Sequence, residues 1–297
     1  MGEIKDYIII DKLYKSYGKR NVINGISLRI KKGTFFGLFG KNGAGKTTLF
    51  KHILGMITST KGNIYLDGKN ISKVKDISIG YLPENVSIYG HLNVVDNLKV
   101  AALSSGNDLD ADEISDILNK INLKGSERTL AKSLSLGMKR RLQFAMATMI
   151  KPVDILILDE PTNGMDINGV LWLKDYLINL KKKKITILIC SHSLNIMEDL
   201  IDEYCIMKDG KVIKNDFWEK DKNRKFEVYF ENKINEEDKI RLSKLGKITK
   251  VEDCRIQLIS EKNMYELVKA LISQNINIKD IEQISNGLED IFIESVN

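Results

Sequence analysis

One segment constrains the fold of this chain more than any other, the octapeptide Gly40-Lys41-Asn42-Gly43-Ala44-Gly45-Lys46-Thr47. The apolar run before it, residues 34–39, predicts a buried strand, and residues 48–54 after it are typical of a helix. Glycines let the backbone curl so that successive N–H groups point inward, and the start of the helix adds the positive end of its dipole. The octapeptide therefore predicts a phosphate-binding loop, in which Lys46 reaches the β- and γ-phosphates of a nucleotide and Thr47 holds Mg²⁺.

Length and charge set the broad class of protein. The chain has 297 residues, enough for one large domain and a small one, and 46 basic against 40 acidic residues give a net charge of +6. That charge permits attraction to an anionic membrane surface and does not require nucleic acid. No apolar run approaches the ~20 residues that cross a bilayer, and the N-terminus lacks the pattern of a signal peptide. We therefore expect a cytosolic protein.

The order of the apolar runs predicts an α/β architecture with two added subdomains. Residues 7–31 alternate short apolar runs with turns, which indicates antiparallel strands before the phosphate loop. From about residue 92 to 150, apolar residues recur at helical spacing and predict an all-helical insert. The uninterrupted apolar runs at 154–158 and 185–190 are typical of central parallel strands that are buried on both faces.

A charged stretch from Trp218 to Lys225 marks a domain boundary. Beyond it, the pattern predicts strands at 226–230, 248–251, 255–260 and 276–281 and helices at 236–245, 264–273 and 288–293. We interpret residues 1–220 as a nucleotide-binding domain and residues 226–297 as a small accessory α+β domain.

Two carboxylates follow the apolar run at 154–158. Asp159 ends the predicted strand, and a carboxylate at that place beside a phosphate loop is positioned to bind Mg²⁺ through water. Glu160 comes one residue later, outside the sheet, where it is placed to take a proton from an attacking water. The sequence therefore predicts Asp159 as a metal ligand and Glu160 as the general base.

Several motifs together resemble those of the ATP-binding cassette ATPases. Asp159-Glu160-Pro161 is similar to the end of their Walker B strand, in the order and spacing that the family shows over residues 7 to about 215. The other matching segments are the signature loop Leu134-Ser135-Leu136-Gly137-Met138-Lys139-Arg140-Arg141, the D-loop Asn163-Gly164-Met165-Asp166, and Tyr81-Leu82-Pro83-Glu84 at the place of the Q-loop.

The resemblance implies roles for further residues. Tyr17 matches the aromatic residue that stacks on adenine, and His192 matches the switch histidine that contacts the γ-phosphate. Ser135 and Gly137 belong to the loop that meets the nucleotide of a second subunit. The assignment predicts Glu160, His192 and Lys46 as catalytic residues, Thr47, Glu84 and Asp159 as metal ligands, and Tyr17, Gly40, Asn42, Gly43, Ala44, Gly45, Lys46, Thr47, Thr48, Ser135 and Gly137 as nucleotide-binding residues.

Two departures from the commonest family pattern indicate which group within the family this chain resembles. The signature loop has Leu136 and Met138 where that pattern has Gly and Gln, and Glu84 replaces the Gln of the Q-loop. Both features, with the C-terminal segment 288–293, resemble the ATPase subunits of bacterial drug and peptide exporters, such as those for bacitracin or lantibiotic immunity.

This resemblance implies an α/β fold, with a P-loop NTPase core, an antiparallel β subdomain and a helical subdomain, followed by the small α+β domain. It implies a homodimer, or a pair with a closely related ATPase, that binds ATP and Mg²⁺ and drives export through a separate integral membrane permease at the inner face of the cell membrane. No nucleic acid is expected. Two alternatives stay open: a soluble cassette ATPase that acts on the ribosome, nucleic acid or cofactor assembly, and a ligand-binding regulatory module in residues 226–297.

Overall fold

A computed structural model describes residues 6–74, 77–150, 152–191, 197–218, 224–274, 276–284 and 288–296. The chain forms two compact units. The first holds the described residues up to 191 and Asp202–Asp216, and the second holds 197–201 and the described residues from Phe217 onward. Within the described ranges, every helix is too short or too polar to span a bilayer.

The first unit contains two sheets and a group of helices. Its strands are β1 (Asp6–Tyr17), β2 (Arg20–Lys31), β3 (Phe35–Gly40), β4 (Lys61–Leu66), β5 (Lys69–Asn70), β6 (Ile79–Leu82), β7 (Ile155–Asp159), β8 (Thr186–Cys190), β9 (Glu203–Lys208) and β10 (Lys211–Phe217). Its helices are α1 (Lys46–Ile53), α2 (Val94–Ser104), α3 (Ala111–Lys120), α4 (Leu136–Thr148) and α5 (Ile167–Lys182).

The main sheet has six strands in the order β10-β9-β3-β8-β7-β6. β3 pairs in parallel with β8 and β9, and β7 pairs in parallel with β6 and β8. Every residue of β3, β7 and β8 is buried, which explains their uninterrupted apolar sequences. Because parallel strands end at the same edge of a sheet, Gly40, Asp159 and Cys190 lie together at the edge where the phosphate loop begins.

The second sheet of this unit is antiparallel, in the order β2-β1-β4-β5. β1 pairs with both β2 and β4, and a tight turn at Asp67 and Gly68, both with positive φ, returns the chain from β4 to β5. Its apolar face packs with α1 and β3 in one hydrophobic core. The antiparallel strands predicted before the phosphate loop are therefore confirmed.

Residues 94–148 hold a helical group with its own core. Asn93 caps α2, and Asp110 forms a capping box with Glu113 at the start of α3. The apolar residues at helical spacing on α3, among them Ile114 and Ile117, are buried in a cluster with residues of α2 and α4. The predicted helical subdomain is therefore confirmed as part of the α/β fold.

The second unit has a four-stranded antiparallel sheet in the order β12-β13-β11-β14. Its elements are β11 (Arg224–Phe230), α6 (Glu236–Ser243), β12 (Lys247–Glu252), β13 (Arg255–Ser260), α7 (Met264–Ser273), β14 (Ile278–Gln283) and α8 (Leu288–Val296). The first six follow the split β-α-β pattern, β-α-β-β-α-β. The last strand begins two residues later than predicted, because the N–H of Ile276 bonds to the Leu271 carbonyl and closes the end of α7 instead.

Candidate functional site

The predicted phosphate loop connects β3 to α1 through a glycine in a left-handed conformation. Gly45 immediately precedes α1 with φ 102° and ψ 7°. A Cβ atom added there would lie 2.9 Å from the carbonyl oxygen of Val22, so a larger residue fits neither the backbone nor the space. The first N–H groups of α1 have no acceptor within the helix, and this end of the helix therefore suits an anion.

A cavity of about 520 Å³ lies over this loop. Its wall combines the cation of Lys46 and the start of α1 with the carboxylates of acidic residues. Such a wall suits a polyphosphate bound together with a divalent cation, because the cation separates the phosphate oxygens from the carboxylates. The lining residues are Arg20, Val22, Asn42, Gly43, Gly45, Lys46, Thr47, Thr48, Glu84, Asp159 and Glu160.

The ammonium group of Lys46 is held by the loop itself. The residue is 8% exposed, and Nζ donates hydrogen bonds to the carbonyl oxygens of Gly40, at 2.7 Å, and Lys41, at 3.4 Å. These bonds fold the long side chain back over the loop that it belongs to. A mobile cation is thereby fixed beside the N–H groups at the start of α1.

Asp159 is held on both carboxylate oxygens. It is 1% exposed; Oδ2 accepts a 2.8 Å hydrogen bond from the Thr47 hydroxyl, and Oδ1 accepts a 2.7 Å hydrogen bond from the Cys190 thiol. Burial and the negative charge of Asp159 raise the pKa of Cys190 well above its usual value, so the thiol stays protonated and able to donate. The carboxylate therefore has one fixed orientation at the end of β7.

The oxygen atoms of this region fit a magnesium ion. The Thr47 hydroxyl and the carboxylates of Asp159 and Glu84 line one cavity, and oxygen is the ligand atom that Mg²⁺ prefers. Across the described part of the chain, no group of three or more His, Cys, Asp or Glu side chains could hold a metal alone. A site with few protein ligands is typical of Mg²⁺, which keeps water and phosphate oxygens in its shell.

Glu160 follows β7 in an unusual backbone conformation. Its φ is 49°, its N–H donates to the Cys190 carbonyl at 2.9 Å, and the residue is 4% exposed. A positive φ at a residue other than glycine costs of order 1–3 kcal/mol and is common at functional sites. The strained turn places the Glu160 side chain on the wall of the phosphate cavity, next to Asp159.

The predicted signature loop forms the start of α4. The Ser135 hydroxyl accepts a hydrogen bond from the Met138 N–H and caps the helix, while Leu136 is 51% exposed. Among the described residues, the set that lines the phosphate cavity includes neither Ser135 nor Gly137. The structure thus brings together the phosphate loop, Glu84 and the two carboxylates, and places the signature residues elsewhere on the unit.

Arg140 is a site residue that the sequence reasoning missed. It is 2% exposed, and its guanidinium donates to the backbone carbonyls of Pro83, Glu84 and Asn163. Burial lowers the pKa of Arg140, against the opposing effect of nearby carboxylates. The available signal was a pair of polar residues three apart, Arg140 and Gln143, on the buried side of a helix whose neighbouring buried residues are largely apolar.

Two other predicted residues lie outside this arrangement. Tyr17 ends β1 opposite Arg20, is 50% exposed, and does not occur among the described residues that line the cavity. The ammonium of Lys15 lies 4.9 Å from the centre of its ring. His192 lies outside the described residues. Their predicted contacts with adenine and with the γ-phosphate stay predictions.

A phosphate loop between a central parallel strand and a helix, with carboxylates at the end of a nearby strand, defines a P-loop nucleotide-binding protein. The sequence pattern of the family described as ABC transporter matches residues 23–163. The chain is 37% identical over 225 residues to a lantibiotic transport ATP-binding protein of Streptococcus pyogenes, covering 76% of this chain and 96% of the relative. It is 32% identical over 300 residues to a bacitracin transport ATP-binding protein of Bacillus licheniformis, covering 96% and 95%.

Solved structures agree on the fold. An ATP-binding subunit of an ABC transporter is 26% identical, with a TM-score of 0.64 over 71% of this chain and 90% of that one. A dimeric cassette bound to ADP and phosphate is 20% identical, with a TM-score of 0.65 over 72% of this chain and 100% of that one, and bears on the fold alone. The chain therefore belongs to the ABC transporter ATPases, and the predicted family, the α/β P-loop fold and the ATPase activity are confirmed.

Proposed function

We propose that this chain hydrolyses ATP to drive export of a peptide or drug through a separate integral membrane permease, at the inner face of the cell membrane. The observation that supports ATP hydrolysis most directly is the cavity, which combines Lys46 and the start of α1 with the carboxylates of Glu84, Asp159 and Glu160. The class of substrate follows from the lantibiotic and bacitracin transport relatives, the second of which matches 96% of this chain.

The phosphate loop binds the nucleotide by charge and by fixed N–H groups. The amides at the start of α1 and the ammonium of Lys46 bind the phosphates of ATP, and Tyr17 stacks on the adenine ring. Thr47, Asp159 and Glu84 would hold Mg²⁺, which would neutralise charge on the phosphate oxygens. Thr47 and Asp159 are already hydrogen-bonded to each other at 2.8 Å, which supports a shared role.

Glu160 accepts the proton of the attacking water. Its carboxylate lies on the wall of the cavity, one residue beyond Asp159. The strained backbone of Glu160, at φ 49°, sets the direction in which its side chain leaves the main chain. A carboxylate there orients water and takes up its proton as the water oxygen bonds to the γ-phosphorus and the bond to the bridging oxygen of the departing ADP breaks. We assign the contact with the γ-phosphate to His192, which follows β8 in the sequence.

Ser135 and Gly137 complete the site of a second copy. The loop that holds them starts α4, and the end of that helix suits an anion, although the residues do not line their own chain's phosphate cavity. In a homodimer with twofold symmetry each loop meets the nucleotide of the partner. ATP binding then closes the dimer and hydrolysis opens it.

Purification with native partners tests the exporter function. The tagged full-length chain is isolated from detergent-solubilised membranes and, in parallel, from the membrane-free lysate of the same host. We expect a membrane protein with several spanning helices in the first sample. Recovery of ribosomes or nucleic acid in place of a membrane protein would favour the other class of cassette ATPase.

A further inference from the structure

The guanidinium of Arg140 joins the signature helix α4 to two loops of the phosphate site. Nη1 donates to the Pro83 carbonyl at 2.8 Å, and Nη2 donates to the Glu84 carbonyl. On the other side, Nε donates to the Asn163 carbonyl at 3.3 Å. One planar guanidinium therefore contacts the main chain of two loops, the one that follows β6 and the one that follows β7.

The neighbours of Arg140 on the same face of α4 reach the same two loops. Leu136, Arg140 and Gln143 are four and three residues apart, and residues at these spacings share one side of a helix. The Leu136 side chain packs so closely on Gly164 that a Cβ atom there would overlap it. Gln143 Nε2 donates to the Asn85 carbonyl at 3.3 Å. This face of α4 thus contacts residues 83–85 and 163–164 from Leu136 to Gln143.

Each of these loops carries a carboxylate of the cavity. Glu84 belongs to the first loop, and its side chain lines the cavity while its carbonyl accepts from Arg140. The second loop begins at Glu160, whose carbonyl accepts a 3.3 Å hydrogen bond from the Asn163 N–H. Since Arg140 is 2% exposed, moving the carbonyl of either loop away would leave a buried N–H donor without its acceptor, which is costly.

We propose that Arg140 is a positioning residue for hydrolysis, which fixes the loops of Glu84 and Glu160 with respect to α4. A movement of α4 is then transmitted to both loops through this face of the helix, on which Arg140 is bonded to both of them. The effect on hydrolysis rests on the function proposed above, whereas the effect on the loops does not. Both parts are measurable on the full-length chain.

Hydrogen exchange in the absence of nucleotide tests the structural part. The variants are Arg140→Met, which removes the charge and the fork but keeps an unbranched side chain, and Arg140→Lys, which keeps the charge without the fork. Arg141→Met is the matched control, since that guanidinium lies 5.7 Å from the centre of the Trp172 ring and makes no contact with either loop that the structure describes.

We expect both Arg140 variants to speed amide exchange about tenfold or more in segments 83–86 and 163–166, with β7 and α1 unchanged, and the control to match the unmodified protein. Unchanged exchange in both segments would overturn the proposal. Faster exchange spread evenly over β7 and α1 would also overturn it, because it would show a role in folding alone. Full protection in Arg140→Lys would overturn the requirement for the fork.

The concentration of Mg²⁺ that gives half-maximal ATP hydrolysis tests the functional part. Loss of a residue that holds a metal ligand in place typically costs 10–100-fold, so we expect at least a ~10-fold rise for Arg140→Met. Combined with Glu84→Gln, the Arg140 change should raise that Mg²⁺ concentration by less than a further twofold, because of the two positioned carboxylates only Glu84 is assigned to the metal. If the effects of the two changes on this Mg²⁺ concentration were fully additive, Arg140 would not act through Glu84. If exchange responds as expected and no variant or parent hydrolyses ATP, the proposed function fails while the structural inference stands.

Discussion

Among single residues, Asp159 and Glu160 are adjacent in sequence and differ in how they are held. Asp159 is fixed on both oxygens, by the hydroxyl of Thr47 and the thiol of Cys190. Glu160 is set by its backbone, with φ 49° and an N–H bonded to the end of β8. A carboxylate with both oxygens engaged suits a metal ligand, and the carboxylate beyond it suits the transfer of a proton.

Replacing Glu160 by Gln removes the proton acceptor and keeps the shape. Turnover of ATP should fall roughly 10²–10⁴-fold, because general base catalysis contributes about that much. Binding of ATP should remain, and phosphate release under single-turnover conditions measures the change. Asp166→Asn is a control outside the cavity, where the side chain caps α5. Near-normal phosphate release from Glu160→Gln would contradict the assignment.

Among secondary-structure elements, the contact between α4 and the turn before α5 depends on a glycine. Gly164 has φ +75°, and the side chain of Leu136 occupies the space where a Cβ atom would be. The family pattern has a small residue at position 136, so this chain packs a larger side chain against the turn. The glycine is therefore required both for its backbone conformation and for the approach of the helix.

Replacing Gly164 by Ala should lower the free energy of unfolding more than the same replacement at a glycine that has open space around it. Gly106 is the matched control, because its φ is +74° and no heavy atom lies within 4 Å of an added Cβ. Gly106→Ala should lower the free energy of unfolding by about 1–2 kcal/mol, the cost of the left-handed conformation. Gly164→Ala should lower it further, and adding Leu136→Ala should return the loss to the Gly106→Ala level, because the Leu136 Cβ is 3.6 Å away.

The urea midpoint followed by tryptophan fluorescence measures this series. The chain has two tryptophans, so a Trp218→Phe background leaves Trp172 on α5 as the reporter for the first unit. Equal losses for Gly164→Ala and Gly106→Ala would show that the Leu136 contact relaxes without cost.

For the whole molecule, the proposed site needs two chains. The phosphate cavity of one chain is lined by Lys46 but not, within the described structure, by Ser135. Both belong to regions suited to phosphate, the starts of α1 and α4. A reciprocal pairing uses both regions, with the γ-phosphate between them.

Mixing two inactive variants tests the pairing. Lys46→Ala should weaken ATP binding, and Ser135→Arg should leave ATP binding to a single chain nearly intact while blocking closure. In a mixed dimer one site keeps both an intact Lys46 and an intact Ser135. We expect ATP-dependent crosslinking between the two variants and none within either variant alone. Full ATP-dependent closure of the Ser135→Arg homodimer would show that the signature loop does not act on its partner.

Patterns within a few residues made much of this molecule predictable. The glycines and Lys46 of the phosphate loop act through local backbone geometry, and apolar runs identified β3, β7 and β8 because such strands are buried on both faces. Periodicity predicted the helices and strands of the second unit, with one strand displaced where Ile276 closes α7. The resemblance to a known family added the site roles that a single sequence pattern does not carry.

The sequence by itself determined which residues form strands, helices and the phosphate loop, because these depend on neighbours along the chain. Only the tertiary structure decided that Arg140 meets the loop of Glu84, 56 residues away, and that Cys190 donates to Asp159, 31 residues away. No pattern along the chain identifies the partner in either contact, because the partner depends on which face of a helix and which end of a strand pack against the site. The tertiary structure likewise decided that Tyr17 is half exposed at the end of β1 and is absent from the described residues that line the cavity.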